Sequence, residues 1–453
     1  MHLALFLSLS GTHLAGWRHP LADHGDPFDI RHYVALAKQA EAARLDMLFV
    51  ADKLAIDSIH GGSFDAAVTL RPAIHPEPLT LLSALAMTTE RIGLGATIST
   101  SYTEPFHAAR MFASIDHFSC GRAAWNAVTS VNDGEARNFG RDRHFEHAER
   151  YERAAEYIDV MRLLWDSWAE DAIVADKAGA IYADASRIHA IDHEGAAFRV
   201  KGPLGSVRPP QGHPVLIQAG VSGAFQSLAA RNAEVIFPVQ STLEKAKAFY
   251  ATFKAQVIAA GRPADAVKIL PGIIPIVADS DDAARRLEEE LDELILPEAG
   301  LSFMSGSMNY DLSVHPIDGP VPDIRDRVRG SKGRFDVVIG DAIAAGLTLG
   351  ELGRSYAKGL AFAKLVGSPA TVADQMEQWV SERGADGFIV MPPFMPIGAQ
   401  RFITDVVPEL QRRGLFRTEY SGRMLRDHLG LDRPANRFDQ DDSAGELVAA
   451  AAE

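Results

Sequence analysis

Short apolar runs alternate with longer stretches of helical period along almost the whole chain, and that order leaves few architectures open. The runs fall at 2–9, 46–51, 92–99, 122–127, 214–219, 234–239, 268–277 and 386–391. Helical stretches follow at about 29–44, 78–90, 105–118, 148–168, 222–232, 242–260, 280–293 and 370–384, with one more near 399–413. Strands each followed by a helix predict an α/β fold with parallel strands, closed into a (β/α)8 TIM barrel rather than left as an open sheet. Two stretches exceed the repeat: 169–213, which is mixed and ends among Gly and Pro, and 294–369, rich in Gly, Ser and Pro with weak periodicity. Both are expected to be insertions on one barrel domain spanning 1–431, of the kind that form lids or binding loops or are partly disordered. From 432 to 453 the chain is acidic and Ala-rich and is expected to be a flexible tail.

Composition narrows the function classes. Hydrophobic residues make up 47% and charged residues 23%, the balance of a soluble globular protein, and 453 residues are enough to bury a closed site. A formal net charge of -15, with no Lys/Arg-rich run, repels phosphate backbones and anionic lipid and argues against nucleic acid. The one cysteine, Cys120, cannot form an intrachain disulfide and fits a reducing compartment, so a cytoplasmic location is expected. The apolar stretch Leu3 to Leu9 resembles the core of a signal peptide. No Lys or Arg precedes it and Trp17-Arg18-His19-Pro20 follows it, so it is taken as a first buried strand. No run of 18 apolar residues suggests a membrane span.

In a barrel of this kind the reacting groups stand at the C-terminal ends of the strands. That rule selects Asp52, Thr97, Ser99, the segment 126–130 and the turn 220–223, with Phe6 and Phe49 on neighbouring strands and His13 just beyond the first. The turn Gly-Val-Ser-Gly leads directly into a helix, so its backbone N–H groups and Ser222 can meet a phosphate; equally, Ser222 can be no more than an N-cap. His147 and Tyr151, four apart at a helix start, share a face and can reach one ligand, or simply pack. Metal signals are weak: His144 and His147 form an HxxH pair, and His189, Asp192 and His193 cluster in the first insertion, but neither is a zinc-protease helix. Met304 and Met308 are expected to pack, and no metal site is assigned. Gly93-Leu94-Gly95 lies within a strand and Ile98 stands where a dinucleotide fingerprint needs its third Gly. Ala224 stands where a nucleophile elbow needs its last Gly.

Several separated stretches match one family: ADKLA at 51–55, EPLTLLSALAMTTERIGLGATIST at 77–100, EPFHAARMFASIDHFSCGRAAWNAVTS at 104–130, EARNFG at 135–140, HAERYERAAEYI at 147–158, LLWDSW at 163–168, QAGVSGAF at 218–225 and RTEYSGRMLRDHLGL at 417–431. With these motifs in family order from end to end, the chain resembles the bacterial luciferase-like two-component flavin-dependent monooxygenases. The branch is that of nitrilotriacetate monooxygenase, pristinamycin IIA synthase and dibenzothiophene sulfone monooxygenase.

The resemblance implies an enzyme that inserts one oxygen atom from O2 into a small organic sulfur- or nitrogen-containing or xenobiotic substrate through a flavin peroxide. Its reduced FMN would come from a separate NAD(P)H:flavin reductase, and the assembly would be a homodimer or homotetramer. The family's flavin site would fall on Asp52, Thr97 and Ser130 at the isoalloxazine and on His147, Tyr151, Val221 and Ser222 at the phosphate. His13, Phe6 and Phe49 would face the reaction centre, with His13 a donor or acceptor to the oxygen adduct or the substrate. Three positions depart from relatives: Ser307 and Val131 stand where some sulfone and alkane oxidisers carry a His, and Cys120 stands where Gly is common. A deazaflavin-dependent oxidoreductase on the same barrel and a non-catalytic flavin-binding protein are the alternatives.

Overall fold

The computed structural model describes residues 1–438 apart from Leu9, His24 and Val221. Eight parallel strands form the core: β1 (His2–Phe6), β2 (Met47–Val50), β3 (Gly93–Ser99), β4 (Ala123–Val128), β5 (Val215–Ala219), β6 (Val235–Phe237), β7 (Lys268–Ile269 continued by Gly272–Val277) and β8 (Gly387–Val390). They pair in chain order from β1 to β6. β7 closes the ring: its first half registers with β6, Val235 opposite Lys268, and its second half with β8, Gly272 opposite Ile389. β8 then returns to β1, His2 opposite Gly387. The expected TIM barrel is therefore present, and the eight apolar runs are its staves.

The barrel interior shows why these runs are strands. Side chains alternate across a strand with period two, so every second residue points inward. Ala4, Met47, Ala124, Val215, Ile217, Val235 and Ile389 pack there in one buried cluster. Gly95 sits among them because a Cβ would lie 2.9 Å from Met47 Sδ. The Gly-Leu-Gly of β3 thus serves packing within the barrel. The segment after residue 416 plugs the N-terminal mouth: Leu425 and Leu429 join the interior cluster, and fully buried Arg426 pairs with Glu234 at 2.7 Å. Cys120 takes φ +56, a left-handed conformation that Gly adopts at no steric cost. No described helix is long and apolar enough to cross a membrane.

The two insertions differ in kind. The first carries two short hairpins, Ile173–Asp176 with Ile181–Ala183 and His193–Glu194 with Arg199–Val200. It lies between a helix and the N-terminal end of β5 and lines neither of the cavities described below, which corrects the expectation of a lid there. Its His and Asp residues are also dispersed: His193 bonds Glu156 at 3.0 Å and His189 stacks on Phe438. The second insertion is more ordered than its weak periodicity suggests. It contains helices Pro297–Met308, Lys332–Ala344 and Leu349–Ala357, then a strand, Ala363–Gly367, that lengthens the sheet against β7. Met304 and Met308 pack in its core.

The packed chain also continues past residue 431. Asn436 is buried and donates to the carbonyls of Asp166 and Trp168 at 3.0 and 3.1 Å. Residues 439–453 of the stretch read as a tail lie outside the described residues.

Candidate active site

Two adjoining cavities open at the C-terminal ends of the strands, one of about 400 Å³ and one of about 770 Å³. Phe6, Asp52, Lys53, Phe303 and Met391 line both and form the wall between them.

The smaller cavity collects most of the residues picked out along the chain. Thr97 and Asn126 lie two positions beyond the inward-facing Gly95 and Ala124, so the strand period delivers them to the cavity floor. Asn126 Nδ2 donates to Thr97 Oγ1 at 3.0 Å, while Asn126 Oδ1 is buried without a partner. Gln218 Oε1, on the same lining, is likewise buried and unmet. Ser130, at φ +55, shares a hydrogen bond with Ser99 at 2.8 Å. Phe49 supplies an apolar wall, 6.1 Å from Phe6 and 4.8 Å edge-on from Phe237.

The polar end of this cavity is built by two helix starts and the second insertion. Ser222 caps helix Gly223–Asn232, accepting from Phe225 N at 3.3 Å, and lines the cavity as well. Val221 lies outside the described residues. His147 and Tyr151 stand with ring centres 4.9 Å apart at the start of helix His147–Asp166. Burial, then the nearby Arg150 guanidinium, pushes the His147 imidazole below its ordinary value. Gly333 lies so close to Ser222 that an added Cβ would stand 3.1 Å from Ser222 Cβ, which brings the segment 330–334 over the helix start. Arg150 fastens that segment to the barrel, donating to Ser130 O at 3.2 Å and to Gly330 O at 3.0 Å. Ser307 and Val131, two of the departures from relatives, also line this cavity.

The larger cavity is mostly apolar and contains His13. Both ring nitrogens of His13 are engaged: Nδ1 accepts from Ala15 N at 3.3 Å, which leaves Nε2 as the donor to Asp292 at 3.4 Å. Burial, the larger effect, pushes His13 below its ordinary value against the pull of Asp292. Burial opposes ionisation of Asp292 too, but hydrogen bonds from His13 and Lys358 hold it down at about 2. Asp52, on the shared wall, accepts from Lys53 N at 2.8 Å and faces the His75 ring at 2.9 Å. Among the described residues no three His, Cys, Asp or Glu side chains are grouped to hold a metal ion.

Residues 9–387 match the family described as luciferase-like monooxygenase. The chain belongs to the luciferase-like monooxygenases. It is 45% identical over 443 residues to nitrilotriacetate monooxygenase component A of Aminobacter aminovorans, covering 96% of this chain and 97% of the relative. It is 44% identical over 444 residues to N-acetyl-S-(2-succino)cysteine monooxygenase of Bacillus subtilis strain 168, covering 96% and 98%. Among solved structures it superposes on a riboflavin lyase with modified FMN and riboflavin at a TM-score of 0.87, with 28% identity and 97% and 98% coverage. The chain is therefore an enzyme of the monooxygenase class in the branch that its motifs indicated.

Within this luciferase-like site, sequence reasoning passed over several residues. Arg150 was within reach, since it stands three residues after His147 on one helix face. Arg71, His75 and Phe303 carried no local signal; they reach the cavities from a loop and from a helix whose period is obscured.

Proposed function

We propose that this luciferase-like protein is the oxygenating component of a two-component system. It would use reduced FMN and O2 to place one oxygen atom on a small organic substrate containing sulfur or nitrogen, with the reduced flavin supplied by a separate NAD(P)H:flavin reductase. The observation that carries this reading is the pair of buried, unmet amide oxygens, Asn126 Oδ1 and Gln218 Oε1, in a cavity that is apolar on one side and ends in a helix start. Buried polar atoms of folded proteins are nearly all satisfied, so two unmet acceptors in one cavity suit a ligand that brings N–H groups. A flavin ring offers such donors on a flat aromatic body, and its ribityl phosphate suits an opening lined by backbone N–H groups.

On this reading Asp52, Thr97 and Ser130, with Asn126 and Gln218, hold the ring, and His147, Tyr151, Val221 and Ser222 receive the phosphate. Reduced flavin, when bound, supplies the electrons with which O2 is divided between substrate and water. Phe6 and Phe49 exclude water from the place where the two cavities meet, which strengthens every polar interaction there. His13, which lines the larger cavity, would meet the substrate there while its Nε2–H is directed to Asp292 at 3.4 Å. Asp292 and Ala15 N fix the tautomer.

The test is an anaerobic titration of the purified protein with reduced FMN, followed by mixing with oxygenated buffer. Tight binding, and reoxidation slower than that of free reduced flavin, are expected. Reduced FMN that does not bind, or a protein that takes a deazaflavin instead and consumes no O2, would refute the reading.

A further inference from the structure

The 770 Å³ chamber holds a feature that the oxygenation chemistry does not use. Arg71 follows the short helix Asp65–Leu70, and its side chain is 9% exposed. Among the described residues its one hydrogen bond runs from Nη2 to Asp57 Oδ2 at 2.6 Å. Nε is buried without a partner. The guanidinium carbon stands over the Phe303 ring, 5.0 Å from its centre, and Arg71 lines the chamber. Asp57 cannot neutralise this arginine alone, because its other oxygen already receives the Lys53 ammonium and Asn132 Nδ2. One carboxylate thus serves two cations. The other carboxylate on this wall, Asp52, is engaged by His75 and by Lys53 N. Thr12 Oγ1, in the same chamber, is a second buried group with no partner and can also donate.

A buried donor without an acceptor is costly, and here the donor belongs to a charged, planar fork. What completes it is a flat anion with two acceptor oxygens. We propose that this chamber takes a substrate bearing a carboxylate, and that Arg71 receives that carboxylate while Thr12 serves a second acceptor on the same molecule. Arg71 is on this view a specificity-determining residue: it selects acids over neutral molecules of the same skeleton. That the ligand is the molecule oxidised rests on the function proposed above; that the chamber binds a carboxylate does not.

The experiment is isothermal titration of the full-length, flavin-free protein with N-acetyl-S-(carboxymethyl)cysteine, a thioether diacid, and separately with its dimethyl ester. The diacid is expected to bind at least about tenfold more tightly than the ester. Arg71→Gln should weaken the diacid by about tenfold to a hundredfold, the loss expected for a charge-assisted hydrogen bond, and leave the ester unchanged. Arg71→Lys keeps a counter-charge for Asp57, guards against a folding artefact, and should recover only part of the diacid affinity because it lacks the fork. Equal affinity for diacid and ester, binding of neither, or an unaffected Arg71→Gln variant each overturn the proposal. A parallel titration with reduced FMN separates the two ideas: Arg71-dependent diacid binding in a protein that ignores reduced FMN defeats the proposed function and leaves the subsite standing.

Discussion

Replacing Arg150 with methionine keeps most of the buried volume and removes the guanidinium that joins the end of β4 to the second insertion. The bonds at stake run to Ser130 O at 3.2 Å, to Gly330 O at 3.0 Å and, at the limit of reach, to Arg329 O at 3.4 Å. Hydrogen bonds from a charged donor contribute about 1.5–3 kcal/mol each, and lengths at the long end favour the lower figure, so the two shorter bonds together are worth about 3 kcal/mol. If that energy holds segment 330–334 over the Ser222 helix start, its loss lowers the fraction of protein competent to bind. The apparent Kd for reduced FMN then rises in proportion, by up to about a hundredfold. Anaerobic titration of the variant with reduced FMN measures this directly. Arg150→Lys separates geometry from charge: a lysine restores the positive charge but cannot span two carbonyls, so it should bind nearly as poorly as the methionine variant. A change of less than about threefold in Arg150→Met, or full recovery in Arg150→Lys, would show that the two-carbonyl bridge is not what organises the cavity.

Three further outcomes can be checked with simple means. Ser222→Asp should weaken reduced-FMN binding by setting a carboxylate against the phosphate, whereas Ser222→Asn, which keeps an N-cap acceptor, should bind more nearly as the parent does. Arg426→Ala leaves Glu234 buried with a lost bidentate partner and should cost about 3–5 kcal/mol in denaturant unfolding; a loss below about 1 kcal/mol would mean that the plug does not depend on the pair. Burial, aided by Arg150, pushes His144 down to about 4 from an ordinary 6.5. The unfolded chain therefore takes up a proton that the folded chain refuses, and stability should fall as pH drops from 6.5 toward 4. His144→Gln should make that slope shallower, and an identical slope would assign the effect to the other buried histidines.

The barrel could be read from the chain because each stave is a short apolar run buried on both sides, and each intervening helix keeps one polar face. The second insertion hid its helices for a physical reason. Helix Pro297–Met308 is buried on nearly every side, so it shows no alternation, and Gly300 lies so near the facing helix that a Cβ would meet Gly353 O at 2.0 Å. Its Gly and Ser residues reflect close approach between helices, although in sequence they look like loop. At the site, the strand-end rule reached Thr97, Asn126 and Ser130 because register fixes where they point. Nothing near His13 announces Asp292, 279 residues away, and so the closed state of its ring nitrogens was not legible. Arg71 and His75 had no periodic context at all.

Strand Ala363–Gly367 registers with five consecutive residues of β7, Ile273 through Val277. The insertion is therefore stitched into the barrel sheet at its return, after leaving from the end of helix Asp281–Glu293. A segment fastened in this way cannot open by fraying alone; releasing it means breaking a ladder that the barrel itself shares. Its amide protons should exchange with solvent on the schedule of the barrel staves and not on that of surface loops, which makes the covering of both cavities part of the same cooperative unit as their floor.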